Sequence, residues 1–293
     1  MNRWIFPVIT LCLAGLFSTA VLASDLDEIK ARGVLRHIGI PYANFVSGAG
    51  DGMDVELIQK FARHLGVRYE YVPSDWGTVV QDLIGRKIKV AAGKVELLEN
   101  AQVKGDLIAN GFTIIPWRQQ VVAFAQPTFP NQIWLIARSD SPIRPIKPTG
   151  NLQKDIALTK TLMKDKTTLS MEQTCLDPAL YNLGATGAKI VCRTGNLNEM
   201  APALLNKEGD LTILDVPDAL VALDKWKGKL KIIGPISDKQ QMAVAFPKDS
   251  PKLMEAYNYF IRQAQHDGTY MAVIRKYYST APSYFPEFFK GMK

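Results

Sequence analysis

Metal-binding residues are scarce in this chain. Its 293 residues include three histidines, His37, His64 and His266, and three cysteines, at spacings that assemble no ligand cluster, so no metal is expected. Blocks of one charge are also missing. The net charge of +7 is mild for this length, and Lys and Arg are interspersed with acids, which excludes a nucleic-acid partner and leaves a solvated basic surface. No paired acid and base, and no nucleophile beside an orienting base, stands out. Neither an enzyme mechanism nor a cofactor is therefore expected.

Long apolar runs are confined to the start. Trp4 to Ala20 follows Arg3 and ends before the acidic DLDE, too short and too promptly closed for a membrane span. Val21 and Ala23 occupy the minus-three and minus-one positions of a cut before Ser24, so residues 1–23 read as a signal peptide, with a retained anchor as the competing reading. Leu11 before Cys12 is too large for a lipidation site. The remaining 270 residues (293 minus 23) keep Cys175 and Cys192, an even pair that is a candidate disulfide in an exported chain.

What the chain does contain is a globular composition, 47% apolar and 22% charged, with the size of two modest domains or one large one. Leu26 to Arg32 reads as a short helix closed by Gly33, and Val34 to Ile40 as a strand. Val55, Leu57, Ile58, Phe61, Ala62 and Leu65 recur at helical spacing, with Asp54 as N-cap and Gly66 as C-cap, and the strand RYEYV follows. This is a βαβ unit. Tyr42 and Phe45 lie in the loop at the carboxyl end of its first strand and Trp76 in the next loop, the rim where open α/β sheets bind ligands. Each of these aromatics serves equally well as core packing.

Ile88 to Leu98 alternates about a small-residue turn and predicts a β-hairpin. The stretch from Gly105 to Phe129 then reads as a buried strand (Asp106 to Ala109), a polar loop (Asn110 to Thr113) and a lone Arg118. An arginine just past a core strand, beside small and hydroxyl residues, suits a bidentate grip on a carboxylate, although an ordinary loop arginine would look the same. After QIWLIAR the chain becomes proline-rich, which sets a domain crossing after position 137. The α/β rhythm repeats in residues 138–244. There Asp215 ends a strand, opposite in charge to Arg118, while Asp218 suits the first turn of the helix that follows. Thr174, in the QTC loop, offers a hydroxyl and backbone N–H groups at a helix start. Residues 245–293 recross and close with two helices separated by Asp267-Gly268, packed back on the first lobe formed by 24–137.

Three ordered stretches resemble the periplasmic solute-binding proteins of amino-acid-type ABC importers. GDGMDVELIQKFARHLGV is similar to that family's glycine, Asp, helix and Leu-Gly-Val signature, NGFTIIPWRQQVVAFAQPTF to its loop, arginine and Phe-Ser-x-Pro-Tyr stretch, and HDGTYMAVIRKYY to its closing Asp-Gly-Thr helix pair. The resemblance implies an α/β, two-lobed clamshell (type II) with two crossing strands between lobes, working as a monomer with a membrane permease. It further implies that Arg118 holds a ligand carboxylate with help from Gly111 and Thr113, that Asp215 takes an α-amino group, that Tyr42, Phe45 and Trp76 surround the ligand, and that Thr174 adds a hydrogen bond.

The chain also departs from that pattern. Gly39 to Pro41 lacks an acid common there, Gly-Thr-Thr becomes Gln173-Thr174-Cys175, and the hairpin is extra. Two alternatives follow: a cyclohexadienyl-dehydratase-like enzyme recruiting Glu172 or Asp177, and an accessory protein partnering a periplasmic quinoprotein dehydrogenase through the hairpin.

Overall fold

The computed structural model describes residues 25–293 except positions 49 and 92, so the expected leader lies outside the described residues. The chain opens with α1 (Leu26–Arg32), whose N-terminus carries a reciprocal capping box between Asp25 and Glu28 and whose end turns on Gly33 at φ 72°. Then come β1 (Val34–Gly39), α2 (Met53–Leu65), β2 (Arg68–Pro73) and α3 (Val79–Ile84). The buried face of α2 is lined by Val55, Leu57, Ile58, Phe61 and Ala62, as their spacing predicted, joined by Met53 and Asp54, while Leu65 is half-buried. Its N-cap is Gly52 rather than Asp54. The Asp54 carboxylate turns inward instead and accepts the Gly111 N–H at 2.7 Å, a tertiary partner that outcompetes local capping.

The expected hairpin is present as β3 (Arg86–Ala91) and β4 (Lys94–Asn100), an antiparallel pair forming its own small sheet. Next are β5 (Leu107–Ile108), α4 (Pro116–Gln119), β6 (Val122–Phe124), β7 (Phe129–Asn131) and β8 (Ile133–Arg138). The second half supplies α5 (Leu152–Thr161), β9 (Thr167–Ser170), β10 (Lys189–Cys192), α6 (Met200–Leu205), β11 (Leu211–Asp215), α7 (Val216–Lys225), β12 (Leu230–Pro235), β13 (Gln240–Met242) and β14 (Ala245–Pro247). Two long helices, α8 (Pro251–His266) and α9 (Thr269–Tyr277), are followed by two short ones, α10 (Ala281–Tyr284) and α11 (Pro286–Phe289).

These strands form two five-stranded sheets, ordered β2-β1-β5-β14-β6 and β10-β9-β11-β8-β12, one in each lobe. Between them β7 and β13 pair antiparallel as the two crossing strands. Because β8 lies between β11 and β12, the chain leaves the first lobe at β7, several residues before the expected boundary after 137. β14 returns to the first sheet, so its antiparallel pairing with β5 and β6 closes lobe 1 with a chain segment distant in sequence.

Two buried polar groups pin β1 to β5, and thereby fix where the loop after β5 begins. Asp106 is fully buried and accepts Arg32 Nη2 at 2.6 Å, Arg36 Nη2 at 2.8 Å and the Arg36 N–H at 2.8 Å. His37 is fully buried too, bonded to Tyr69 Oη at 2.9 Å and to the Ala109 carbonyl. Burial pulls its pKa down to about 4, so the neutral ring donates from Nε2 to Ala109 and accepts the Tyr69 hydroxyl at Nδ1. Asp54 shifts the other way, up to about 7, again through burial, with the Gly111 N–H opposing.

The two shifts act against each other between pH 4 and 6.5. A depressed histidine makes the folded state lose stability as pH falls below the unfolded value, by up to roughly 3 kcal/mol. A raised carboxyl makes it lose stability as pH rises. Asp54→Asn removes only the second effect. Its melting temperature is expected to fall more steeply than the wild type's between pH 6.5 and 5, measured by thermal unfolding across buffers, whereas parallel curves would contradict the assignment.

Candidate functional site

The loops at the carboxyl ends of β1, β5 and β11 converge between the lobes. Tyr42, Thr113, Arg118, Thr174 and Asp215 are each 1% exposed, so the crevice is shut around them. Arg118 comes from the short α4, started by Pro116 at its first turn. Its guanidinium lies 3.8 Å above the Phe112 ring, with Trp117 and Trp76 at 5.4 and 5.8 Å. Nη1 donates to the Thr113 carbonyl at 3.0 Å, and Nε has no partner. Burial pulls the Arg118 pKa down to about 10, opposed by Cys175, Tyr181, Asp215 and Tyr42 around it, and the group stays cationic at neutral pH. Aromatic faces and one carbonyl cannot satisfy five N–H donors.

Across the crevice, Asp215 ends β11 and caps α7, accepting the Asp218 N–H at 3.4 Å. It also accepts the Tyr42 hydroxyl, a hydrogen bond made directly from one lobe to the other, and the Cys175 thiol at 3.2 Å. Burial raises its pKa, while Tyr42, Cys175, the Asp218 N–H and the charge of Arg118 hold it down. Asp218, expected to be a helix-start acid, does sit in the first turn of α7 but is buried, with Oδ2 unpartnered; burial and the Asp215 charge push its pKa well up.

The other expected residues divide into two groups. Trp76 meets Tyr42 edge-on at 5.5 Å, with its Nε1 unpartnered, and so walls the crevice beside Arg118. Phe45 instead packs behind the crevice against Phe129 and Tyr278 at 5.3 and 5.1 Å. Gly111 has φ +64°, and a Cβ there would lie 2.4 Å from the Phe45 ring, so glycine alone fits between that ring and the turn. Thr174 uses its hydroxyl within its own loop, donating to the Met171 carbonyl at 2.8 Å and accepting the Leu176 N–H at 3.0 Å. Only a four-residue 3-10 turn, Pro178–Tyr181, stands where a helix start was expected.

The candidate disulfide is not formed. Cys175 and Cys192 are both free, because Cys175 turns into the crevice toward Asp215, whereas Cys192 is exposed on β10 beside Ser170 Oγ at 3.4 Å. Asp177 caps the 3-10 turn through Ala179 N, and Glu172 is exposed, so neither acid lies among the groups joining Arg118 to Asp215.

Several crevice residues escaped sequence reasoning. Asn110 is fully buried with both side-chain atoms unpartnered, and Phe112 is the platform for the guanidinium. Asn131 on β7 accepts the Val216 N–H at 3.2 Å and donates to Gln240 Oε1 at 3.1 Å, which joins both crossing strands to α7. Tyr181 donates to the Cys175 carbonyl at 2.6 Å. Only Asn110 carried a local signal, as a polar residue at the end of a buried strand. Outside the crevice, the Ala43 N–H donates to Asn198 Oδ1 at 2.8 Å and Asn196 Nδ2 to the Pro41 carbonyl at 3.2 Å, so the rims of the two lobes touch.

A family model described as bacterial extracellular solute-binding proteins, family 3, matches residues 95–280. The chain is 24% identical over 280 residues to a protein of Haemophilus influenzae named probable amino-acid ABC transporter-binding protein, covering 92% of this chain and 94% of that one. It is 23% identical over 237 residues to membrane-bound lytic murein transglycosylase F of Desulfosudis oleivorans, covering 80% of this chain but spanning only 45% of that protein. Among solved structures, the P235GK mutant of ArgBP from T. maritima superposes with a TM-score of 0.68 at 26% identity, covering 87% of this chain and 99% of that one.

Gly111→Ala is expected to destabilise the protein by roughly 1–3 kcal/mol, through a strained positive φ and the clash with Phe45. Thermal unfolding would show a melting temperature lower by several degrees. An unchanged value would mean that the loop before Arg118 is not held by this turn.

Proposed function

The chain belongs to the bacterial extracellular solute-binding proteins, family 3, and on that premise we propose that it captures a small, amino-acid-like carboxylate between its lobes in the periplasm and delivers it to an ABC importer. The observation that carries this reading is a fully buried guanidinium with its Nε unpartnered, facing a buried carboxylate on the opposite lobe. An anionic guest group satisfies Arg118 through charge-assisted hydrogen bonds, each contributing about 1.5–3 kcal/mol. On the second lobe Asp215 receives the guest's ammonium, in exchange for the bonds it makes to Tyr42 and Cys175. Trp76 and Tyr42 cover the side chain, and the loop from Asn110 to Thr113 lines the acid end.

Closure follows from the same geometry. A guest shifts the lobes toward the closed form only by binding it better than the open one, which requires contacts on both lobes. Arg118 and Asp215 supply one each. The name of the Haemophilus influenzae relative supports the transport reading, since it couples amino acids to an ABC transporter.

Calorimetric titration with amino acids and their deaminated analogues tests this reading. Arg118→Ala is expected to weaken binding of any carboxylate at least tenfold with the fold intact, and Asp215→Asn to weaken an amino acid more than its deaminated analogue. Unchanged affinity in Arg118→Ala would remove the arginine from the site.

A further inference from the structure

Cys175 brings to the crevice a thiol that takes no direct part in holding the guest, and its place there is specific. The thiol donates to Asp215 Oδ2 at 3.2 Å, whereas the other carboxylate oxygen, Oδ1, accepts both the Tyr42 hydroxyl and the Asp218 N–H. The two oxygens are therefore held unequally. Oδ1 has a phenol and a backbone amide, and Oδ2 has a thiol, which is a weak donor. Cys175 is 2% exposed, and besides Asp215 it interacts with Arg118 and the Thr113 side chain of the facing lobe. It thus lies among the groups proposed to hold the two ends of the guest.

A thiol in these surroundings is a poor nucleophile. Burial and the Asp215 charge push its pKa well up, with Arg118 opposing, so the proton stays on sulfur. What remains is its capacity to donate. The backbone that carries it is tied down: the Tyr181 hydroxyl donates to the Cys175 carbonyl at 2.6 Å and itself accepts Gln240 Nε2 of β13 at 3.2 Å. The Thr174 hydroxyl secures the same loop through the Met171 carbonyl and the Leu176 N–H. Rotation about Cα–Cβ is then enough to take the sulfur off Oδ2 while the loop stays where it is.

We propose that Cys175 is a specificity-determining residue that stands in for the guest's ammonium: a guest with a primary amino group approaches Asp215 at Oδ2 and displaces the thiol rather than the phenol. This rests on the capture proposed above, in which Asp215 receives an ammonium. The exchange replaces a weak neutral donor with a charged one, and a charge-assisted hydrogen bond is roughly twice as strong as a neutral one. It also keeps the carboxylate supplied with donors before and after binding, whereas a buried charge stripped of them is costly. A guest without the amino group leaves the thiol in place and gains nothing at Oδ2. The strength of the stand-in therefore sets how far an amino acid is preferred over its deaminated analogue, and a firmer hold on Oδ2 means a smaller preference.

Cys175→Ala and Cys175→Ser separate the donor from the rest of the side chain. Calorimetric titration is run on wild type and both variants with each common amino acid and its deaminated acid, such as L-alanine with propionate and L-glutamate with glutarate. For a pair that the wild type binds, the affinity ratio of amino acid to deaminated acid is expected to rise about threefold or more in Cys175→Ala, where the ammonium no longer competes with a hydrogen bond. The melting temperature of the ligand-free variant falls at the same time, because a buried carboxylate has lost a donor. Cys175→Ser keeps a donor, and a stronger one, so its ratio is expected to stay at or below that of the wild type. Lower stability combined with a higher ratio marks the stand-in, since a residue that only supports the loop would leave the ratio where it was. A ratio unmoved or reduced in Cys175→Ala overturns the assignment. An equal rise in Cys175→Ser also overturns it, because the effect would then come from the lost sulfur and not from the donor. The capture itself fails by a different result, namely no binding across all pairs or binding indifferent to Arg118→Ala, and the role of Cys175 falls with it. Binding of an amino acid that depends on Arg118, with an unmoved ratio in Cys175→Ala, overturns the stand-in alone.

Discussion

The molecule turns on one buried hydrogen bond between the lobes, the Tyr42 hydroxyl of lobe 1 donating to Asp215 of lobe 2. It joins the carboxyl ends of two separate sheets beside the buried Arg118. Asp215 tolerates this burial because three donors converge on it, the phenol, the Cys175 thiol and the Asp218 N–H. A buried carboxylate without them would lose its charge. Arg118 is provided for less fully, with aromatic faces on three sides and one carbonyl. The asymmetry is informative. Asp215 has its donors in place, one of them supplied by the facing lobe, whereas Arg118 keeps an N–H without an acceptor.

Everything upstream serves to place those two groups. Asp106 and His37 fasten β1 to β5, so the loop from Asn110 begins at a fixed height. Asp54 then holds the Gly111 N–H while Phe45 fills the space where a side chain would stand, and the turn delivers Phe112 and Arg118 to the crevice. On the other lobe β11 runs between β9 and β8 and ends at Asp215, which caps α7 in the same step. Asn131, on a crossing strand, bonds to Val216 N and Gln240, so both crossing strands are tied to the helix that Asp215 caps.

Much of this was legible in the sequence, where local rules govern. The helix from Met53 to Leu65 follows from apolar spacing closed by Gly66, and the hairpin from alternation about a glycine. Arg118 and Asp215 were readable as opposite charges at strand ends, and the resemblance to solute-binding proteins ordered them in one cleft. Where the reading missed, a distant partner decided. Asp54 has the right position for a cap, but a backbone N–H 57 positions away claims it. The strand Ile133–Arg138 is buried on both faces, so its run of apolar residues cannot say which sheet it joins. Cys175 and Cys192 form an even pair by count, yet bonding depends on where the two thiols point, and Cys175 points at Asp215. Asn110 and Phe112 flank a positive-φ glycine whose turn direction is set by Phe45, far away in the sequence.

A buried guanidinium with an unpartnered Nε calls for an anion, and the sharpest probe of that demand is a pair of ligands that differ only in charge. Thermal shift on the wild-type protein, with each small carboxylic acid set against its primary amide, reads this directly, since a ligand at a hundred times its Kd stabilises the fold by about 2.7 kcal/mol. At least one acid is expected to raise the melting temperature, with no comparable rise from its amide. Equal stabilisation by acid and amide, or none by any acid across the amino-acid and small-carboxylate panel, would contradict it.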